Sequence, residues 1–307
     1  MSFINWGSES PEQLAIRRQI EEQALYEQAV RMAQAKQRAG QAPAVAGGGG
    51  DPYNGLWGLG ANGRIYSMAK GEAEWNWQYG QFPSAFQMTF NPDDGFIYAV
   101  CDYAGSVAFI RIDPKTREAA FIDNNISDFT VKGASSFYYE GSGSFIYLDN
   151  FFKDGSGISS VIRVQLEMGS PEIATATQLA EVDSDISGFL LRNLFLYEGT
   201  PWAIGVGMEI VTGPFNLESG TFVYQNLILP SPSDSQVESI VYIFSALEFK
   251  GEVLVVAVWY DGDNYHTGLF KMDTKNGGSI APYYLKFIKS VDSWSKDNVP
   301  IFGLAKF

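Results

Sequence analysis

One unit recurs down this chain: an aromatic-rich strand, a turn of Gly, Asp or Asn, then a second apolar strand. The copies read GLWGLGANGRIYSM (55–68), FQMTFNPDDGFIYAV (86–100), SSFYYEGSGSFIYLD (135–149), NLFLYEGTPWAIGV (193–206) and IFSALEFKGEVLVVAV (243–258). With Tyr66, Tyr98, Tyr147, Ile204 and Val255 in equivalent places, the spacings are 32, 49, 57 and 51 residues. Further strands follow each pair: 106–112 with 119–122, 158–164 with 177–182, 220–229, and 267–272 with 283–288. The turns between them, such as Asp113-Pro114-Lys115-Thr116, are hairpin chemistry. Four strands every ~50 residues is the pattern of β-propeller blades, each burying its face against the next. The chain has 22 Phe, 16 Tyr, 7 Trp and 32 Gly, a balance that suits an all-β fold rich in turns.

The closing residues constrain the topology further. Ile301-Phe302-Gly303-Leu304-Ala305-Lys306-Phe307 repeats the opening of the last copy, Ile243-Phe244-Ser245-Ala246-Leu247-Glu248-Phe249. A lone first strand at this point completes a blade begun near Leu56 and zips the ring shut, leaving no open edge. The expectation is a mainly β protein, a propeller of five blades, or six because the first copy is short, closed by its C-terminal strand. The competing reading is an irregular β-sandwich.

Residues 1–50 have a different character. Ser10 is an N-cap, Pro11 fits the first helical position and Gln13 completes a capping box. Helix formers run from Leu14 to Ala35, and Gly40 is the expected stop. The reading is one long N-terminal α-helix, roughly 43 Å at 1.5 Å per residue. Its apolar residues form two offset stripes, Ile16, Ile20 and Ala24 against Leu25, Tyr26, Ala29, Val30, Met32 and Ala33, instead of one coiled-coil seam. Phe3, Ile4 and Trp6 precede the cap and need a pocket to bury them. The expected division is a helical anchor over 1–42, a Gly-rich linker over 43–52 and a propeller over 53–307. The candidate anchor contacts are Phe3, Ile4, Trp6, Leu14, Ile16, Ile20, Leu25, Tyr26, Val30 and Met32.

Charge separates the same two parts. Residues 1–50 hold five acids and five bases, so the net charge of −14 sits on residues 51–307. A nucleic-acid surface needs clustered Lys and Arg, and this distribution argues against one. The longest apolar run, Val253 to Tyr260, is too short to span a bilayer. No basic and apolar leader opens the chain, which points to folding in a cytoplasm.

Catalytic parts are sparse. His266, in the predicted turn Asp261-Gly262-Asp263-Asn264-Tyr265-His266, is the only histidine and Cys101 the only cysteine, which leaves zinc and a Ser-His-Asp triad poorly supplied. There is no Gly-x-Ser-x-Gly elbow and no phosphate-binding glycine loop. The Asp-rich turns (Asp93-Asp94, 123–128, Asp183 with Asp185, Asp261 with Asp263) suit ordinary turns, with calcium the weaker alternative. Nothing singles out a carboxylate pair for glycoside hydrolysis. Glu74-Trp75-Asn76-Trp77-Gln78-Tyr79 lines three rings on one strand face, for packing between blades or for stacking on sugars.

The opening MSFINWGSESPEQLAIRRQIEEQALYEQAVRMAQAKQ, followed by small residues and glycines, resembles the N-terminal segments of virion structural proteins of tailed bacteriophages, cyanophages especially. The resemblance covers about the first fifty residues. It implies a virion component assembled in the host cytoplasm. Residues 1–40 dock onto other structural proteins of tail, baseplate, neck or capsid, and the propeller faces outward for decoration or host contact. The expectation is therefore a protein that is not an enzyme and carries no cofactor. The alternatives are a carbohydrate-binding, lectin-like propeller that meets a host surface glycan, and a propeller glycosidase.

Overall fold

A computed structural model describes residues 54–60, 64–69, 72–75, 84–103, 106–116, 118–124, 136–149, 158–167, 172–228, 239–260, 263–273, 283–291 and 301–306. The predicted N-terminal helix, the linker and all ten candidate anchor residues lie outside these.

The strands follow the repeat. The first blade takes β1 (Leu56–Gly60), β2 (Ile65–Ser67) and β3 (Glu72–Trp75), and the second β4 (Ser84–Asn91), β5 (Phe96–Tyr103), β6 (Ser106–Ile112) and β7 (Ala119–Phe121). After the short β8 (Asp123–Asn124), the third blade has β9 (Ser136–Gly141), β10 (Ser144–Asp149), β11 (Ile158–Leu166) and β12 (Glu172–Asp183). One turn of helix, α1 (Ser184–Ser187), leads to the fourth blade: β13 (Phe189–Tyr197), β14 (Thr200–Gly207), β15 (Ile210–Pro214) and β16 (Gln225–Ile228). The fifth holds β17 (Ser239–Phe249), β18 (Glu252–Tyr260), β19 (Tyr265–Asp273) and β20 (Tyr283–Ser290), and β21 (Ile301–Lys306) returns to the first blade.

Each blade is an antiparallel sheet in sequence order, and β21 pairs with β1 from Leu56↔Lys306 to Gly60↔Ile301. The ring is a five-bladed propeller closed as expected. The count is five because the short first copy, β1 and β2, forms the second and third strands of its blade. Its innermost strand is β21. Tyr66 is thus one strand out of step with Tyr98, Tyr147, Ile204 and Val255, which all lie on second strands. That offset accounts for the spacing of 32 residues.

Five apolar clusters hold the ring, one at each blade-to-blade interface. Blades one and two share Leu59, Met88 and Ile97, and blades two and three share Phe109, Phe137 and Tyr147. Leu148 meets Leu191 between three and four, Phe195 meets Val255 between four and five, and Phe244 meets Leu304 between five and one. Aliphatic side chains make up most of these clusters, and aromatic rings such as Phe109, Phe137 and Tyr147 help fill the wedge that widens outward, because a ring spans the gap with few rotatable bonds. Two parallel pairings also link neighbouring blades at their outer strands: β8 with β12, and β16 with β20.

Candidate functional site

The innermost strands β4, β9, β13, β17 and β21 neighbour one another in a closed circle. They wall an axial cavity of about 500 Å³. Each strand enters its lining at the same place in the repeat: Gln87, Ser136, Asn193, Ser245 and, on β21, Leu304 just after Gly303. Each then runs toward a mouth formed by Asn54, Pro92, Tyr139, Lys250 and Lys306. The five strands therefore run in one direction along the bore.

A ring of polar side chains floors the cavity. Gln87, Ser136, Asn193 and Ser245 are only 1–5% exposed, so their hydrogen bonds must be made within the protein. Ser136 Oγ donates to Leu194 O at 2.6 Å and accepts from Leu194 N at 2.9 Å. Asn193 Oδ1 accepts from Ala246 N at 3.1 Å, and its Nδ2 donates to Phe244 O at 3.2 Å. Ser245 Oγ accepts from Leu304 N at 3.3 Å. Gln87 Nε2 also donates to Phe244 O. One rule is repeated three times: the polar residue of one blade accepts from the backbone N–H one place further along the next blade. Innermost strands have no ladder partner on the bore side, and this girdle supplies one.

Local irregularity aims these side chains. The ladder skips Phe86, Arg192, Phe244 and Phe302, each directly before its floor position. A bulge of one residue resets the strand alternation; it turns Asn193 and Ser245 onto the neighbouring blade, and Gln87 toward Phe244 O of the fifth. The signal was present in the sequence as a column: Gln87, Ser136, Asn193, Ser245 and Gly303 each stand directly before an apolar residue in their copies. Sequence reasoning followed the aromatic positions and missed it.

Near the mouth, cross-blade bonds continue. Thr89 Oγ1 accepts from Tyr139 N at 3.2 Å, and Glu248 Oε2 accepts from Glu198 N at 2.7 Å. The Tyr139 hydroxyl donates to Asp93, and Tyr98 Oη donates to Asp94 at 2.5 Å. Burial, then the Asp93 bond, raises the Tyr139 phenol above its ordinary pKa. Burial raises Tyr138 further, helped by the nearby Glu140 charge.

The other residues marked in the sequence fall elsewhere. His266 is not in a turn: it lies on β19, ring-stacked on Trp259 at 4.6 Å. Tyr260 and Tyr265 pair beside it at 5.0 Å. This β18–β19 hairpin is on the face opposite the cavity mouth, because second strands run back from the mouth. Cys101 is on β5. The aspartates act in turns: Asp183 Oδ1 accepts from Asp185 N at 2.8 Å as the cap of α1, and Asp94 Oδ1 accepts from Phe96 N at 2.9 Å. Among the described residues no three His, Cys, Asp or Glu gather as a metal site. Trp77 and Tyr79 lie outside the described residues, and Trp75 is placed only as part of β3.

No family model matches the chain, and neither does any curated protein. Solved structures do. An endo-arabinase from Bacteroides thetaiotaomicron VPI-5482 is 12% identical with a TM-score of 0.47, over 67% of this chain and 81% of that one. An exo-1,5-alpha-L-arabinanase from a bovine ruminal metagenomic library is 13% identical with a TM-score of 0.43, over 68% and 80%. A chain of a nidogen/laminin complex is 10% identical with a TM-score of 0.41, over 81% and 96%. At these identities the likeness concerns the fold alone. It does correct the expectation that the chain is not an enzyme. Enzymes are among the proteins this fold resembles, so a missing motif is no ground for that expectation. Among the described lining residues Glu248 is the one carboxylate, so they do not complete the pair that glycoside hydrolysis uses.

Proposed function

We propose that this chain is a virion structural protein whose residues 1–42 attach it to the particle and whose propeller is presented as a binding module. The observation that carries this reading is the ring closure. β21 supplies the innermost strand of the first blade, so the ring is complete without any residue before 54. Residues 1–53 join the ring at Asn54, on the rim of the cavity mouth. Attachment through them turns that face toward the particle and the β18–β19 face away from it. The neutral N-terminal segment and the charge of −14 on the remainder fit the same division of labour. The test is a chain lacking residues 1–42. It keeps the melting temperature of the whole chain and is lost from purified particles. Normal incorporation of the shortened chain refutes the reading.

A second reading is contact with carbohydrate, favoured by the half-buried rings of Tyr260, Tyr265 and His266 on the face opposite the cavity mouth. Aromatic faces stack on the C–H faces of sugars. Glycan-array binding that is lost in Tyr265→Ala supports it, and release of reducing sugar would make the contact an enzymatic one.

A further inference from the structure

We propose that the fourth blade carries, on the face opposite the cavity mouth, a docking surface for a cationic, amphipathic segment of a partner protein. This goes beyond particle attachment and does not depend on it. Among the described residues the large apolar side chains left exposed are Ile186, Met208, Val223, Tyr224 and Ile228, and all five belong to the fourth blade or to α1, which leads into it. Apolar residues scattered singly over a surface need no explanation, but a set confined to one blade of five does. Three of them gather at one corner. Ile186 lies on α1, 87% exposed, two residues before Gly188. Met208, fully exposed, tips the β14–β15 turn beside Gly207. The backbones of Gly207 and Gly188 are in such close contact that a Cβ on Gly207 would lie 2.3 Å from Gly188 O. The Tyr224 ring sits 4.9 Å from that of Phe189, the residue after Gly188. Because β13 runs toward the mouth from Phe189, α1 and the β14–β15 turn lie at the far end.

The margins of this corner are acidic. Glu181 and Asp183 end β12, Asp185 adjoins Ile186, and Glu209 follows Met208. Residues 172–228 hold seven acids and one base, Arg192, which is 7% exposed and lies over the Tyr242 ring of the fifth blade. The neighbouring connections do not reverse this balance: 150–157 carries Lys153 with Asp154, and 229–238 carries Asp234 and Glu238 with no base. An apolar centre with an acidic margin selects its occupant. Apolar side chains of the partner cover Ile186, Met208 and Tyr224, and Lys or Arg beside them meets the carboxylates. A basic amphipathic helix presents both on adjoining faces. The same acids repel an anionic bilayer surface and a second copy of this chain, whose net charge is −14. The contact of Gly207 with Gly188 fixes α1 against the β14–β15 turn before a partner arrives, which limits the ordering cost of binding.

Fluorescence anisotropy with the full chain tests this with two labelled peptides of one length and pattern: an amphipathic helix of Leu and Lys, and the same helix with Glu at every Lys. The Lys peptide is expected to bind one site per chain, and the Glu peptide about ten-fold more weakly or worse. Ile186→Ser with Met208→Ser loses about ten-fold for the Lys peptide, and Asp185→Asn with Glu209→Gln loses about as much. Glu118→Gln with Glu167→Gln removes the same charge from exposed sites on the second and third blades and leaves the affinity unchanged. Every substituted residue is exposed, and circular dichroism confirms that each variant is folded. Absence of Lys-peptide binding by the wild-type chain overturns the proposal. An equal loss in the Glu118 and Glu167 variant overturns it too, because the attraction then belongs to the whole acidic domain. Sedimentation of the chain alone and flotation with phosphatidylcholine vesicles cover the other occupants. A dimer, or vesicle binding, that disappears in Ile186→Ser with Met208→Ser gives the corner to a second copy or to a lipid surface and overturns the proposal as well.

Discussion

Asn193 offers the sharpest test of the polar girdle. It is 1% exposed and bridges two blades, accepting from Ala246 N at 3.1 Å and donating to Phe244 O at 3.2 Å. In Asn193→Ala the two backbone groups fare differently. Phe244 O keeps a bond from Gln87 Nε2, so it loses one of two donors. Ala246 N–H loses the acceptor the girdle supplies. An orphaned buried donor costs ~1–3 kcal/mol and a lost second bond ~0.5–1.5 kcal/mol, so the expected cost is ~2–4 kcal/mol. Urea unfolding of the full chain, followed by tryptophan fluorescence, reads this as a lower midpoint at unchanged slope. The shared carbonyl adds a second requirement. In a Gln87→Met background Asn193→Ala strips Phe244 O of both side-chain donors, so the pair should cost ~1 kcal/mol more than the two single changes added. A single-variant cost under ~1 kcal/mol, or strict additivity, would refute the girdle as the link between the innermost strands.

Three further outcomes follow from the same geometry. A Cβ at Gly213 would lie 2.1 Å from Val223 O, a backbone atom on the adjoining chain segment; Gly213→Ala should cost ~2–3 kcal/mol, read as a shift in thermal midpoint. Tyr138 is buried, and its hydroxyl finds no hydrogen-bond partner among the described residues. Tyr138→Phe should therefore be neutral or stabilising by up to ~1 kcal/mol in chemical denaturation at neutral pH. The folded-state pKa of Tyr138 is raised, first by burial and then by Glu140. Its contribution is fully present below the unfolded value near 10 and is lost as pH rises beyond that, so Tyr138→Phe should flatten the fall in stability above pH ~10. Leu304 is buried where the fifth blade meets the first. Leu304→Asp should open the ring at β1–β21, seen as fast amide exchange confined first to Leu56–Gly60.

The fold was legible because its information is local and periodic. Alternating apolar residues and Gly or Asp turns set each strand pair, as at Phe90-Asn91-Pro92-Asp93-Asp94-Gly95-Phe96. The likeness of 301–307 to 243–249 foretold the closing strand, which β21 confirms against β1. The blade number was one step less legible. Tyr66 looks like Tyr98 by sequence, yet it sits one strand further out, and only the partner of Leu56 reveals this. His266 read as a turn residue, because Asp261 to Tyr265 are turn formers; pairing with Trp259 draws it into β19.

What the sequence determined by itself is the unit and its repetition: strand, turn, strand, with enough aromatic residues to fill the wedges between blades. What only tertiary structure decided is what the units enclose. Gln87, Ser136, Asn193 and Ser245 are unremarkable polar residues along the chain, separated by 49, 57 and 52 positions. They become a floor because the blades meet around one axis and a bulge before Asn193 and Ser245 turns them onto the next strand, while Gln87 reaches Phe244 O of the fifth blade. The axial cavity likewise combines residues from all five blades. No local pattern encodes such a site, because the contacts that make it are set by ring closure, and closure depends on every blade at once.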